Sequence, residues 1–461
     1  MRTAVLALGV ACGAWLAVSP APAQEAPAPA PSKPLSKAEL NRFADALGIW
    51  LLYGDDEKLA ESDKRAKKLD DLKKYEHRNW KGARQAFNGW LPNGVRPQKR
   101  KVTTELTYRY DATKTPWNKI MFGEASGYRP GRPTPLCIAL HGGGRGQGDP
   151  GQAYGMYGAP FKAKGCFLVA PLVPGEKLTF AHPHSERFVR NFIHELQREY
   201  SIDFDRIYVV GHSEGGVGAW AFGARMPDYI AAAVAGAGNP PGVLDYEYLY
   251  NTPMWIHHST TDKQVIPDWD KAAEEAVKKI QPPLREFHFV WYEATDGRGH
   301  GYPAWVPEKY EPWVLEQTRD MYPKRVVTCC PIARARDVHG FVDYPGDETE
   351  WDNFWVGIRG LSGGQGKVIA ELKGPNHIGA TSTGVAKVVF YVSDEFLDLD
   401  KPIRVVLNGV EAWNKPVPRS AEYLCRHIAR HDDRGRFFSG EIEVAGDGTG
   451  ASSSGSDDDD D

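Results

Sequence analysis

Residues 206–220, RIYVVGHSEGGVGAW, constrain this chain more than any other stretch. Ile207, Tyr208, Val209 and Val210 are β-branched or aromatic and read as a strand, and the small residues after Gly215 read as a helix. Between them Ser213 stands at the apex of a sharp turn. Gly211 and Gly215 flank it where a Cβ would collide with the neighbouring strand or helix, so the serine hydroxyl projects above a sheet edge. With 48 glycines in 461 residues, G-x-S-x-G also arises by chance. Its meaning therefore depends on partners elsewhere in the chain.

The surrounding sequence supplies a framework for such a turn. Strand-like runs at 136–141, 165–171, 206–212, 231–238, 253–259 and 285–293 take turns with helical patterns at 185–200, after Ser213 and at 267–280. Near-continuous apolar strands alternating with helices imply an α/β fold, a mostly parallel sheet covered on both faces. Two further strands, in VTTELTYRY and NKIMFGEAS, would form its leading edge. We place this unit at residues 101–325. Residues 39–100 read as a helical prefix with one apolar stripe, either packed on the side of the catalytic unit or acting as an arm over a partner or substrate. Residues 326–445, with short strands between Gly, Pro and Asn turns, read as a small β-rich C-terminal domain.

The ends are simpler. Met1-Arg2, an apolar run from Ala4 to Val18 and an A-x-A ending at Ala23 make residues 1–23 a secretory signal peptide, cleaved after Ala23, so the protein is expected to be secreted or periplasmic. Gly9-Val10-Ala11 lacks the leucine that usually precedes a lipidated cysteine, which argues against Cys12 as an anchor. Residues 24–38 are a Pro/Ala-rich linker, expected to lack a core, and 446–461 an acidic tail expected to be disordered. No other stretch has the length of a membrane span. The net charge of −4 falls close to zero once leader and terminal aspartates are set aside, which speaks against nucleic-acid binding. Cys137 and Cys166 lie in apolar strands and read as buried residues, while Cys329 or Cys330 could pair with Cys425. No cysteine or histidine spacing suggests a metal site.

Serine nucleophiles need a base, an acid that orients the base, and donors for an oxyanion. His141-Gly142-Gly143-Gly144 directly follows a strand, and the amides of Gly142, Gly143 and Glu214 are candidate donors. Asp262, in STTDKQVIP, and His300, in GRGHGYP, each follow a strand and therefore fall at the sheet edge where Ser213 would sit. Asp296 is a rival for Asp262. His257 and His258 lie inside a strand and read as core histidines, and His212 as a packing residue of the turn.

Taken together, HGGG, GHSEG, the aspartate of TDKQVIP and the histidine of GHGYP resemble the α/β-hydrolase superfamily, in particular its secreted polyhydroxybutyrate-depolymerase-like and feruloyl or acetylxylan esterase-like branch. The resemblance covers about half the chain, and implies a Ser213, His300, Asp262 triad, a small-molecule or polymer ester as substrate and no cofactor. It does not extend to the helical prefix or the β-rich C-terminal domain. Two other functions stay open at this point. One is a serine peptidase of the prolyl-oligopeptidase kind, whose propeller prefix is missing here. The other is a non-catalytic protein that binds a polymer or carbohydrate, suggested by tryptophans such as Trp305, Trp313, Trp351, Trp355 and Trp413, read as lying in loops.

Overall fold

The computed structural model describes residues 31–54, 62–92, 103–104, 120–143, 148–173, 179–240, 246–284, 286–301, 303–330 and 350–447. The expected signal peptide, Gly144, residues 105–110 of the first expected strand and the residues after 447 lie outside them.

Ser36 and Glu39 open the first helix with a capping box: the Ser36 amide donates to Glu39 Oε2 (2.8 Å) and the Glu39 amide to Ser36 Oγ (3.4 Å). Helix α1 (Lys37–Gly54) follows and buries Phe43, Leu47, Trp50 and Leu51. Helices α2 (Asp63–Lys73) and α3 (Ala83–Phe87) complete the prefix. Within the expected linker, Ser32 donates to Asp400 through its amide and hydroxyl (both 2.7 Å), and Leu35 is buried.

The central sheet has eight strands: β1 (Thr103–Thr104), β2 (Ile120–Gly123), β3 (Thr134–Leu140), β4 (Phe167–Pro171), β5 (Ile202–His212), β6 (Ala232–Gly236), β7 (Met254–Ser259) and β8 (Phe287–Tyr292). Their order is β1-β2-β4-β3-β5-β6-β7-β8. The first two are antiparallel and form one edge; the other six run parallel. Because successive strand residues point to opposite faces, Leu136, Ile138, Ile207 and Val209 enter one core with Phe192 and Trp220. Their neighbours Cys137, Ala139, Tyr208 and Val210 enter another with Phe161 and Tyr310. The covering helices are α4 (Pro150–Ala153) and α5 (Ala159–Ala163), joined by a π-helical turn, then α6 (Pro183–Glu199), α7 (Glu214–Arg225), α8 (Asp268–Val277) and α9 (Trp305–Glu316).

Beyond α9, a five-stranded sheet contains β9 (Arg325–Cys330), β12 (Gly366–Gly374), β13 (His377–Thr383), β15 (Ile403–Leu407) and β16 (Val410–Lys415). A four-stranded sheet contains β10 (Glu350–Asn353), β11 (Val356–Leu361), β14 (Val385–Val392) and β17 (Gly440–Ala445). Val368, Ile378 and Val405 of the first sheet share a core with Ile358, Val388 and Phe390 of the second. Helix α10 (Ala421–His431), N-capped by Ser420, lies between β16 and β17 in the chain but packs with α1 and α2. Its Leu424, Cys425 and Ile428 join Phe43, Leu47, Leu72 and Phe204 in a separate cluster. Cys425 is a buried thiol, so the pairing with Cys329 or Cys330 that the sequence left open is not formed.

Buried ion pairs tie these parts together. Arg84 of α3 makes a bidentate contact with Asp205 of β5, and its Nε donates to the carbonyl of Gly435 (2.9 Å). Arg319, almost wholly buried, reaches Asp205 (3.3 Å), Asp433 (2.7 Å) and the carbonyl of Asp228 (2.6 Å). Burial alone would raise the pKa of Asp205, but the two guanidinium groups outweigh it and hold it below the ordinary carboxylate value. Arg319→Met should leave Asp433 buried without its cation and destabilise the fold by about 3–5 kcal/mol, read as a lower urea midpoint at unchanged m-value.

Candidate active site

Strand β3 has β4 on one side and β5 on the other, so the chain reverses its direction of winding there. Crevices form outside the carboxyl ends of strands at such a switch point. Gly142 lies just past the end of β3, and Ser213 immediately follows β5.

Ser213 has φ 58° and ψ −122°, a left-handed backbone that costs a non-glycine residue about 1–3 kcal/mol. Two glycines permit the turn. A Cβ on Gly211 would lie 2.1 Å from the Gly215 carbonyl oxygen, and one on Gly215 would lie 2.2 Å from that of Leu140. The Ser213 amide donates to the Gly236 carbonyl (2.8 Å), which pins the turn to β6. A Cβ on Gly142 would sit 3.2 Å from Ser213 Cβ and 3.8 Å from its Oγ, so this backbone runs directly beside the serine side chain. Gly143 adopts a φ of 79° that suits glycine. Glu214 is the first residue of α7, where backbone amides have no partner within the helix.

His141 organises the glycine loop. Its Nε2 accepts from the Val173 amide (2.9 Å), which leaves the proton on Nδ1 to donate to the Gly142 carbonyl (2.9 Å). Burial lowers its pKa, in keeping with a neutral ring.

The expected acid and base meet. His300 Nδ1 lies 2.7 Å from Asp262 Oδ2, while Asp262 Oδ1 accepts from the amides of Gln264 (2.8 Å) and Val265 (2.9 Å). Burial pushes the Asp262 pKa up, but these donors outweigh it and hold the carboxylate below its ordinary range. The rival Asp296 instead accepts from the amides of Arg298 (3.1 Å), Gly299 (2.5 Å) and Gly301 (2.8 Å), shaping the loop that carries His300. Among the described residues no hydrogen bond joins the His300 ring to the Ser213 hydroxyl; such a bond commonly tightens only with substrate in place.

Two histidines do more than the sequence suggested. His212, read as packing, approaches the His300 carbonyl through Nε2 (2.8 Å), and since a carbonyl only accepts, that nitrogen carries the proton. The residue before the serine thus tethers the loop that carries His300. Burial takes its pKa down to about 3, so the ring is neutral. His258 lies 3.1 Å from Asp262 Oδ2 through Nε2 and 2.7 Å from Asp270 Oδ2 through Nδ1. His257 is a buried ring stacked on Tyr310, as a core histidine should be.

The tryptophans expected in loops mostly belong to regular elements. Trp305 and Trp313 are in α9, Trp351 in β10 and Trp413 in β16, while Trp355 is fully buried and donates to the Pro323 carbonyl (2.9 Å). Trp305 and Trp269 are partly exposed, on the helices that follow the His300 and Asp262 loops. Among the described residues no three His, Cys, Asp or Glu side chains converge as metal ligands, and no helix is long and apolar enough to cross a membrane.

No family model matches the chain. Over 149 residues it is 30% identical to a protein of Nocardia uniformis subsp. tsuyamanensis described as "Putative esterase NocK", an overlap of 28% of this chain and 43% of that protein. The chain thus spans less than half the length of this curated relative. Among solved structures it is similar to a thermostable esterase, at 24% identity over 47% of this chain and 63% of the other, with a TM-score of 0.39. It is also similar to the butyrate-bound Est2 esterase of a Planctomycetes species, Thermogutta terrifontis, at 18% identity over 46% and 94% of the two chains, with a TM-score of 0.36.

Gly299 is where the loops carrying Asp262 and His300 touch: its φ is 73°, and an added Cβ would meet the Thr261 carbonyl oxygen at 2.1 Å. Gly299→Ala should therefore part Asp262 from His300. We expect a loss of stability of about 1–3 kcal/mol, seen by thermal melting. It should be accompanied by loss of turnover out of proportion to the fraction unfolded.

Proposed function

We propose that this chain is a secreted serine hydrolase that cleaves carboxylic esters through an acyl-enzyme, with Ser213 as nucleophile, His300 as general base and acid, and Asp262 as the orienting carboxylate. The observation that carries the reading is the 2.7 Å Asp262–His300 bond, in a site where Ser213 sits on a strained turn beside Gly142. We assign residues 101–325 to the catalytic unit, and 1–23 to the leader that directs export.

In the reaction Ser213 Oγ attacks the ester carbonyl as its proton passes to His300 Nε2. Asp262 holds the ring by Nδ1–H, which leaves the Nε2 lone pair facing the hydroxyl, and offsets the positive charge that develops. The amides of Gly142, Gly143 and Glu214 receive the oxyanion; one such donor is worth roughly 100- to 1000-fold in rate. Collapse of the intermediate breaks the bond to the alkoxy oxygen, which takes the proton from His300 and leaves as the alcohol. Water then attacks the acyl-enzyme by the same route, returning the proton to Ser213 and releasing the acid.

Similarity over 149 residues to a protein described as an esterase supports an ester over an amide. Within esterases we place the chain with the polyhydroxybutyrate-depolymerase-like and feruloyl or acetylxylan esterase-like enzymes, on the motif set HGGG, GHSEG, TDKQVIP and GHGYP. An organophosphonate probe should label the wild-type protein and leave Ser213→Ala unlabelled. The same variant should lose at least roughly 10⁴-fold in kcat on short-chain aryl esters. Peptide amides turned over as fast as esters would favour the prolyl-oligopeptidase-like alternative, and an unlabelled wild-type protein would leave only the binding function.

A further inference from the structure

The carboxylate of Asp262 is held from two sides. Its Oδ2 faces His300 Nδ1 at 2.7 Å and His258 Nε2 at 3.1 Å, and its Oδ1 accepts two backbone amides. On the far side of His258, Nδ1 meets Asp270 Oδ2 at 2.7 Å. The side chains of His258, Asp262 and Asp270 are wholly buried. The Val265 carbonyl, 3.0 Å from His258 Nε2, adds another acceptor.

Every close polar neighbour of the His258 ring is therefore an acceptor. A neutral imidazole has one N–H and would turn its other lone pair toward a carboxylate. The pair of His258 and Asp270 consequently holds one more proton than a neutral ring beside a carboxylate, as an imidazolium set between two carboxylates with Nε2–H pointing at Asp262. Burial works against a charge on His258, yet the two carboxylates outweigh it and its pKa is raised; burial likewise raises that of Asp270. Both directions agree with a retained proton.

The other groups around the ring do not supply that proton. His257 and His212 have pKa values lowered by burial, and the Trp291 ring stacks parallel to His258 at 6.2 Å while its own Nε1–H is taken by Glu274 (2.7 Å). Tyr246, near Asp270, has its pKa pushed up to about 12 and is neutral.

Apolar replacements of buried ion pairs are often as stable as the pairs, so stability alone does not call for this arrangement. What it does locally is fill every acceptor direction of Asp262. We propose that His258 is a positioning residue for the hydrolysis: the row Asp270–His258–Asp262–His300 locks the orienting carboxylate, and the proton held on its far side tempers its pull on His300 and extends activity toward acid. This inference rests on the hydrolase reading above.

The test is kcat and KM against pH for the full chain with Ser213→Ala, Asp270→Asn and His258→Gln, each checked for folding by circular dichroism. In Asp270→Asn the amide N–H donates to a neutral His258 whose Nε2–H stays on Asp262. We expect KM unchanged, kcat within a few-fold of wild type, and the acidic limb of kcat/KM moved up by about one pH unit. His258→Gln should lower kcat roughly tenfold or more at unchanged KM. Folded variants with the wild-type profile and kcat, or an acidic limb moved down in Asp270→Asn, overturn the proposal. If His258→Gln fails to fold, Asp270→Asn decides. Low-field ring N–H signals from ¹⁵N-histidine-labelled protein give a readout free of turnover. Two such signals from His258, kept in Ser213→Ala, support the row, and only one overturns it. Full activity in Ser213→Ala would instead reject the hydrolase reading, and the positioning role with it.

Discussion

The site depends on backbone packed directly against backbone. Helix α7 starts immediately after the serine, all twelve of its residues are buried, and its first turn lies directly against the backbone of the neighbouring strands and loops. Atoms added at Gly211, Gly215, Gly216 or Gly238 would each come within 2.1–2.4 Å of a carbonyl oxygen. This contact fixes the Ser213 turn, and with it the direction of the hydroxyl. The strain of the turn, about 1–3 kcal/mol, is offset by burial of Trp220 and Phe222, each contributing a similar amount or more.

A second constraint holds the sheet to what surrounds it. Asp205 lies near the start of β5, far along the same strand from Ser213, and it receives Arg84 from the prefix and Arg319 from the segment after α9. Arg319 continues to Asp433, beyond α10. Charges buried this way tolerate few alternative registers, because a slip of any one element leaves a guanidinium or carboxylate without its counterion. A parallel arrangement serves Arg419, which joins Asp394 (2.6 Å) to Asp400 (2.8 Å), while Asp394 also accepts the Trp80 amide from the prefix.

Much of this was legible in the sequence where one residue type has one physical use. The strand–turn–helix at Ser213 was readable because glycines at 211 and 215 leave little else for the chain to do. That Asp262 and His300 would come together was readable because both follow apolar strands. Other elements were hidden. Helix α9 carries Pro312 in its interior, which argues against a helix until tertiary packing of Val306, Tyr310 and Val314 overrides it. Strand β16 exposes most of its residues and so lacks the alternation that marks a half-buried strand. The role of His258 could not be read locally. His257 and His258 are adjacent on β7, and only the pleat, which turns them to opposite faces, separates a ring stacked on Tyr310 from one set between two carboxylates. Asp270 was the available signal: an acidic residue on the inner face of a helix, next to Ala273 one turn on, has to find a partner in the core.

The cluster formed by α1, α2 and α10 brings together residues that leave the ribosome far apart in time. Phe43, Leu47 and Trp50 emerge among the first of the described residues, and their cover, Leu424, Cys425 and Ile428, among the last. Until α10 arrives, the amphipathic stripe of α1 has no final resting place, and the polar cap that Glu76 Oε1 gives the Ala421 amide (2.8 Å) cannot form. The prefix is therefore synthesised well before the segment that completes its cluster.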